Sequence, residues 1–191
     1  MRFFHIADLH LGKKLLGESL LEDQRDILEK VLLEIKKERP QGILIAGDIY
    51  DKSIPSGEAV VLFDSFLERL AEAGLDIFII SGNHDSPERL DFARNLLAKN
   101  KVHIAGGFKG ELPHTVLCDE RGELTVWQMP FIKPAALRPY FEESPETYEE
   151  AVQAVLRTAE IDSGKRNILL AHQYVVWQGE KPLPSDSEQL S

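Results

Sequence analysis

Gly42-Ile-Leu-Ile-Ala-Gly-Asp-Ile-Tyr-Asp51 is the stretch that decides the fold. An unbroken apolar run of this length, with no polar alternation, is what a strand buried on both faces presents, and Gly-Asp stops it abruptly. The pattern recurs at Arg2 to Ala7 before Asp8-Leu-His10, and at Asp76-Ile-Phe-Ile-Ile80 before Ser81-Gly-Asn-His-Asp85. It recurs again at Val102 to Ala105, and at Asn167 to Ala171 before His172. Amphipathic stretches separate these runs, so the class is α/β, with helices covering strands.

Outward from the first run, a helix is expected from about Leu20 to Arg39, with Ile27, Leu28, Val31, Leu32 and Ile35 on one face. Ser19 and Glu22 have capping-box spacing, and Pro40 ends the helix. A second helix runs from about Gly57 to Ala73 on Val60, Phe63, Phe66, Leu67 and Leu70, with Gly74 at the C′ position. Ser86-Pro87 opens a third, to about Ala98, and Ser144-Pro145 a fourth, to about Glu160. Between Phe108 and Pro130 the period changes. Thr115 to Cys118 and Leu124 to Gln128 flank Asp119-Glu-Arg-Gly122 and read as an antiparallel hairpin, which a purely parallel doubly wound sheet does not need. After Gly179 the chain turns polar and Pro/Ser-rich, so a domain over 1–179 and a loop or frayed tail over 180–191 are expected.

The composition narrows the class further. With 191 residues, 43% of them apolar, wholesale disorder is excluded, and the single Cys rules out a disulfide framework or a Cys-only zinc site. The N-terminal apolar run is too short for a signal peptide, and no stretch approaches the roughly 18 apolar residues of a membrane span. The chain therefore reads as soluble and cytoplasmic. Its 22 Lys plus Arg against 32 Asp plus Glu give a formal net charge of −10, which on its face argues against a polyanionic partner.

The strand ends carry the chemistry, because an open α/β sheet builds its site there. Asp8 and His10, Asp48 and Asp51, Asn83 and His84, and His172 arrive from four different strands. These are oxygen and nitrogen ligands without thiolate, a set suited to Mn2+, Fe or Zn2+. Asp48 is the natural bridge, since a carboxylate can bind one metal through each oxygen. Gly47 and Gly82 allow sharp turns and close approach just before the ligands. A chance Gly-Asn-His-Asp in a chain of this length is on the order of one in a thousand, whereas Asp-x-His or Gly-Asp alone is commonplace. His5 lies mid-strand, His103 and His114 lack any carboxylate-glycine context, and Cys118 reads as a small apolar residue of the hairpin.

With D-x-H, G-D-x-x-D, G-N-H-D and a later His in place, the sequence resembles the calcineurin-like metallophosphoesterase superfamily. Within it, the likeness is to SbcD-type nuclease subunits of bacterial SbcCD complexes. That narrower likeness rests on His5-Ile-Ala-Asp-Leu-His-Leu-Gly12 with Lys13, Gln128-Met-Pro-Phe-Ile-Lys-Pro134, and Leu170-Ala-His-Gln-Tyr-Val175 followed by Ser185-Asp-Ser-Glu188. The resemblance implies an αββα sandwich of two mixed sheets flanked by helices. It also implies two divalent metals, Mn2+ foremost, one on Asp8, His10 and Asp48 and the other on Asp48, Asn83 and His172. His84 then protonates or stabilises the leaving oxygen, with Asp51 orienting it. The implied activity is cleavage of DNA phosphodiesters, beside an SbcC-like ATPase, in a homodimer formed through the second and third helices.

One departure stands out: the family adds a G-H-x-H motif after the His172 equivalent, and no His follows His172 here. The sequence therefore reads as a fragment that binds metal weakly and has little or no nuclease activity. Two rival functions share the motifs: a phosphoesterase for small molecules or phosphoproteins, and a non-catalytic interaction module. Lys13, Lys14, Arg89 and Arg94 follow the first and third motifs and are the candidate DNA contacts, while Lys36, Lys37 and Arg39 sit in a helix's last turn, where the macrodipole accounts for them. Two bound cations reverse the local field of the acidic cluster, so net charge alone does not exclude DNA.

Overall fold

The structure is a computed structural model describing residues 1–175. The polar tail and Ser185-Asp-Ser-Glu188 lie outside the described residues. In chain order the elements are β1 (Phe3–Ile6), β2 (Lys14–Leu15), β3 (Glu18–Ser19), α1 (Leu21–Glu38), β4 (Gly42–Ala46), α2 (Gly57–Glu72) and β5 (Asp76–Ile80). They continue with α3 (Pro87–Leu90), α4 (Arg94–Leu97), β6 (Val102–Ala105), β7 (His114–Asp119), β8 (Gly122–Met129), α5 (Tyr148–Arg157) and β9 (Arg166–Ala171).

β1, β4, β5 and β6 form a parallel sheet in that order, and β7, β8 and β9 form a second sheet in which β8 pairs antiparallel with β7 and parallel with β9. Among the described residues the first sheet is thus wholly parallel and the second mixed. The apolar runs are unbroken because both faces are covered. Ile43, Ile45, Ile77 and Ile79 pack under α1 and α2, while their alternates Leu44, Ala46, Phe78 and Ile80 pack against Val126 and Leu170 of the second sheet. Each fully buried Ile contributes roughly 1.5–3 kcal/mol. On the outer face of the second sheet Trp127 and Met129 meet Ala151 and Val155 of α5. The layers are therefore helix, sheet, sheet, helix. Gln128, buried between the sheets, donates to the carbonyls of Ile79 at 3.1 Å and His103 at 2.9 Å, tying β8 to β5 and β6. Arg166 of β9 forks onto Asp119 at the end of β7, with contacts of 2.7 and 3.1 Å, and pulls that carboxyl well below its ordinary range.

Several local expectations are corrected. Ser19 pairs in the β2–β3 hairpin, so α1 starts without a side-chain cap: Leu20 is its N-cap, and Ser19 Oγ reaches only the Leu21 N–H at 3.4 Å. The third helix is broken into α3 and α4 because Ala93 turns left-handed (φ 58°). Asp91 also directs its carboxylate out of the helix, to the Gly106 N–H at 2.9 Å and to Lys109 at 2.7 Å. The fourth helix begins at Tyr148, where Thr147 and Glu150 form the capping box. Ile27 and Val60, assigned to buried faces, are exposed, as is Cys118 on the outer strand β7. Gly74 does follow α2 in a left-handed conformation (φ 76°). No helix among the described residues is long and apolar enough to cross a membrane.

Candidate metal centre

β1, β4 and β5 end at one edge of the parallel sheet, and β9 brings His172 to the same edge from the other sheet. Backbone bonds join the loops: the Asp8 N–H donates to the Gly47 carbonyl at 3.1 Å, the His10 N–H to that of Asp48 at 2.9 Å, and the Leu11 N–H to that of Ile49 at 2.9 Å. Gly47 and Gly82 make the convergence sterically feasible. A Cβ on Gly82 would lie 2.0 Å from Asp48 Oδ1, and one on Gly47 2.6 Å from the His172 ring. Asp8 (φ 57°), His10 (φ 42°) and Asp48 (φ 50°) all occupy the left-handed region, at a cost of about 1 kcal/mol or more each, which points to geometry maintained for function.

Asp48 is the centre of the cluster and is 3% exposed. Its Oδ1 accepts from the backbone N–H of His84 at 2.9 Å, while its Oδ2 lies 3.7 Å from His10 Nε2 and 3.6 Å from His172 Nε2. Asp8 Oδ1 is 3.7 Å from His10 Nε2, and Asn83 Oδ1 is 3.2 Å from His172 Nε2. Donor atoms of His10, Asp48 and His84 come within 4.8 Å of one another, as do those of Asp8, Asp48 and His172.

This donor set fits a divalent cation. The Ala46 carbonyl can only accept, so the 2.7 Å bond from His172 fixes the proton of the neutral ring on Nδ1 and turns the Nε2 lone pair toward Asp48 Oδ2. Separations of 3.6–3.7 Å exceed hydrogen-bond range but match two ligands of one ion, each about 2.1 Å from it. Among the described residues Asp8, Asp48 and Asp51 have no Lys or Arg ion-pair partner, so imidazoles alone face the acidic charge. Burial would raise the Asp48 carboxyl, but pairing with His172 and the His84 N–H outweigh it and leave the group below its ordinary value. His172 is shifted upward, chiefly by Asp48, against the opposing effect of burial.

A model of the family described as calcineurin-like phosphoesterase matches residues 1–188. The chain belongs to the calcineurin-like phosphoesterase family. The SbcD nuclease subunit of the SbcCD complex of Staphylococcus epidermidis is 38% identical over 192 residues, a match covering 98% of this chain and 49% of that protein. The chain thus spans about half the length of this curated relative. A dimetal phosphatase from Danio rerio aligns with a TM-score of 0.43 at 17% identity, covering 79% of this chain and 50% of that one.

Two atomic details of this calcineurin-like site were not legible in the sequence. Asp48 Oδ1 accepts from the His84 N–H with one of its lone pairs, and Oδ2 stands between His10 and His172. Asp51 holds His84 through its backbone carbonyl, which accepts from Nδ1 at 2.8 Å, not through its carboxylate. That carboxylate lies 4.0 Å from His10 Nδ1, a buried atom with no hydrogen-bond partner among the described residues. The Asp51 carbonyl leaves His84 Nε2 free, and the His84 ring stands edge-on to His10 at 4.9 Å. His103, stacked on Phe78, and His114, against Trp127, belong to neither donor group. Burial lowers His103, with Asp76 opposing.

Sequence reading missed the work of two residues. Asp85, 6% exposed, accepts from the N–H groups of Ile49 at 3.1 Å, Tyr50 at 3.0 Å and Gly82 at 2.9 Å. Gln24, on the first turn of α1, donates to the carbonyls of Leu9 at 3.1 Å and His10 at 2.7 Å and accepts from the Gly12 N–H at 3.0 Å. The Gly-Asn-His-Asp quartet drew attention to Asp85 but not to its partners, and nothing local singled out Gln24 in an amphipathic helix. Of the cationic candidates, Lys13, Lys14 and Arg89 are exposed, while Arg94 pairs with Asp91 at 3.8 Å.

Proposed function

We propose that this chain carries the catalytic core of an SbcD-like, metal-dependent DNA nuclease subunit, acting on double-stranded ends and hairpins with an SbcC-like ATPase in the cytoplasm, in DNA repair and recombination. One observation carries the hydrolytic reading: Asp48 Oδ2 lies between His10 Nε2 and His172 Nε2, at 3.7 and 3.6 Å, with no Lys or Arg ion-paired to it among the described residues. The DNA reading draws its support from the 38% identity to an SbcD nuclease subunit.

Asp8, His10 and Asp48 would hold one metal, and Asp48, Asn83 and His172 the other. Mn2+ suits these hard and borderline donors. When bound, two such cations supply an activated water and stabilise charge on the phosphorus oxygens. His84, its Nδ1 proton committed to the Asp51 carbonyl, presents Nε2 to the leaving oxygen and delivers a proton there when the ring is cationic. The Asp51 carboxylate lies 4.0 Å from His10 Nδ1, too far for a hydrogen bond, and adds negative charge beside that ring. Lys13, Lys14 and Arg89, exposed and without an ion-pair partner among the described residues, are the proposed phosphate contacts. Val60 and Val61 of α2, Phe92 between α3 and α4, and Leu96 of α4 are 42%, 68%, 80% and 62% exposed and are the apolar side chains proposed to meet a second copy.

The three-ligand sets predict weak metal affinity and slow turnover. The test assays this chain at millimolar Mn2+ beside the full-length SbcD protein of Staphylococcus epidermidis. Substrates are bis-p-nitrophenyl phosphate, p-nitrophenyl phosphate and linear duplex DNA. The expected result is diester preference and DNA cleavage in both, slower in this chain. A monoester preference without DNA cleavage would move the assignment to a phosphatase, and absence of Mn2+ uptake to a non-catalytic module.

A further inference from the structure

We infer that Gln24 and Asp85 are positioning residues that hold the ligand loops in the strained geometry the metals require, an inference that rests on the metal reading above. Asp8, His10 and Asp48 all sit at positive φ, and none is a glycine. Released from their surroundings, such residues relax to negative φ, which would swing the attached side chains away from a common point. Two side chains oppose that relaxation without touching a ligand atom.

Gln24 commits every hydrogen-bonding group of its amide to the segment from Leu9 to Gly12, with bonds on both sides of the His10 Cα. Asp85 gathers N–H groups from both neighbouring loops: Ile49 and Tyr50 directly follow Asp48, and Gly82 directly precedes Asn83. It thereby sets the spacing between the Asp48 loop and the Asn83–His84 loop. The two anchors are complementary, since Gln24 fixes the β1 loop and Asp85 fixes the β4 loop to the β5 loop. Metal centres depend on such outer contacts, and losing one typically costs about 10–100-fold in affinity.

The test compares the 191-residue chain with its Gln24→Leu, Gln24→Glu and Asp85→Asn variants. Mn2+ affinity is read by calorimetry, Co2+ coordination by visible absorption, and unfolding temperature in EDTA. Gln24→Leu and Asp85→Asn should each weaken Mn2+ binding at least about tenfold and alter the Co2+ spectrum, beyond what their loss of metal-free stability accounts for. Gln24→Glu, which keeps the acceptor for Gly12 but sets a carboxylate oxygen against the Leu9 and His10 carbonyls, should weaken binding at least as much and serves if the Leu variant does not fold. Unchanged affinity and spectra, or losses that only track metal-free stability, would overturn the inference. Absence of Mn2+ uptake by the unsubstituted chain would instead sink the metal reading beneath it.

Discussion

Asp48→Asn is expected to abolish metal binding and cut phosphodiester hydrolysis by on the order of 10³-fold or more, while leaving the fold in place. The substitution is nearly isosteric, and the His84 N–H at 2.9 Å dictates how the amide orients. That N–H requires an acceptor, so the amide oxygen occupies the Oδ1 position and the NH2 group the Oδ2 position. A lone pair shared between His10 and His172 is thus replaced by donor hydrogens that no cation tolerates. Because the buried N–H keeps its partner and a buried charge is removed, the cost to stability should stay within about 1 kcal/mol. Calorimetric Mn2+ titration and thermal unfolding measured together check this. Retained Mn2+ binding would show that Asp48 is not the bridge.

His84→Gln is expected to leave both metals bound and to slow duplex DNA cleavage by about 10²–10⁴-fold. Its effect on p-nitrophenyl diesters should be far smaller, since p-nitrophenolate departs without a proton and the alkoxide leaving group of DNA does not. The prediction separates two readings of the geometry. His84 falls within 4.8 Å of donor atoms of both His10 and Asp48, so the distances alone also permit it to be a ligand. Its Nδ1 bond to the Asp51 carbonyl and its exposure to solvent favour a group that faces the substrate. Rates with the two leaving groups, measured beside Mn2+ affinity, decide the point: an equal loss on both substrates, with weakened metal binding, would make His84 a ligand.

What the sequence made legible follows from how local each signal is. Asp48 and the Asn83–His84 pair stand within a few residues of an unbroken apolar run, so the strand end and the candidate ligand are read together. The two-sheet sandwich was an expectation of the family resemblance; the β7–β8 hairpin signalled locally only a departure from a purely parallel sheet, and Val126 and Leu170 fill the layer between the sheets. The helix break at Ala93 was not legible, because alanine is a strong helix former and the cause is the capture of Asp91 by Gly106 and Lys109, distant in sequence. Asp51 was identified as a residue but not as an atom, since no pattern tells whether a carbonyl or a carboxylate will meet a ring nitrogen. Gln24 was invisible for the same reason: its three bonds reach back twelve to fifteen residues to a loop whose course only the fold defines.

Net charge describes the whole chain and not the strand edge. A formal charge of −10 argues against a polyanion, while at that edge Asp8, Asp48 and Asp51 crowd together with, among the described residues, only imidazoles beside them. Cations bound at that edge would reverse its local field. The most direct test is therefore anomalous diffraction at the manganese edge from crystals of this chain grown with Mn2+. Two peaks about 3.5–4 Å apart on either side of Asp48 Oδ2, one toward Asp8 and His10 and the other toward Asn83 and His172, are the predicted result. Absence of manganese at this edge, or a single ion not bound to Asp48, would contradict it.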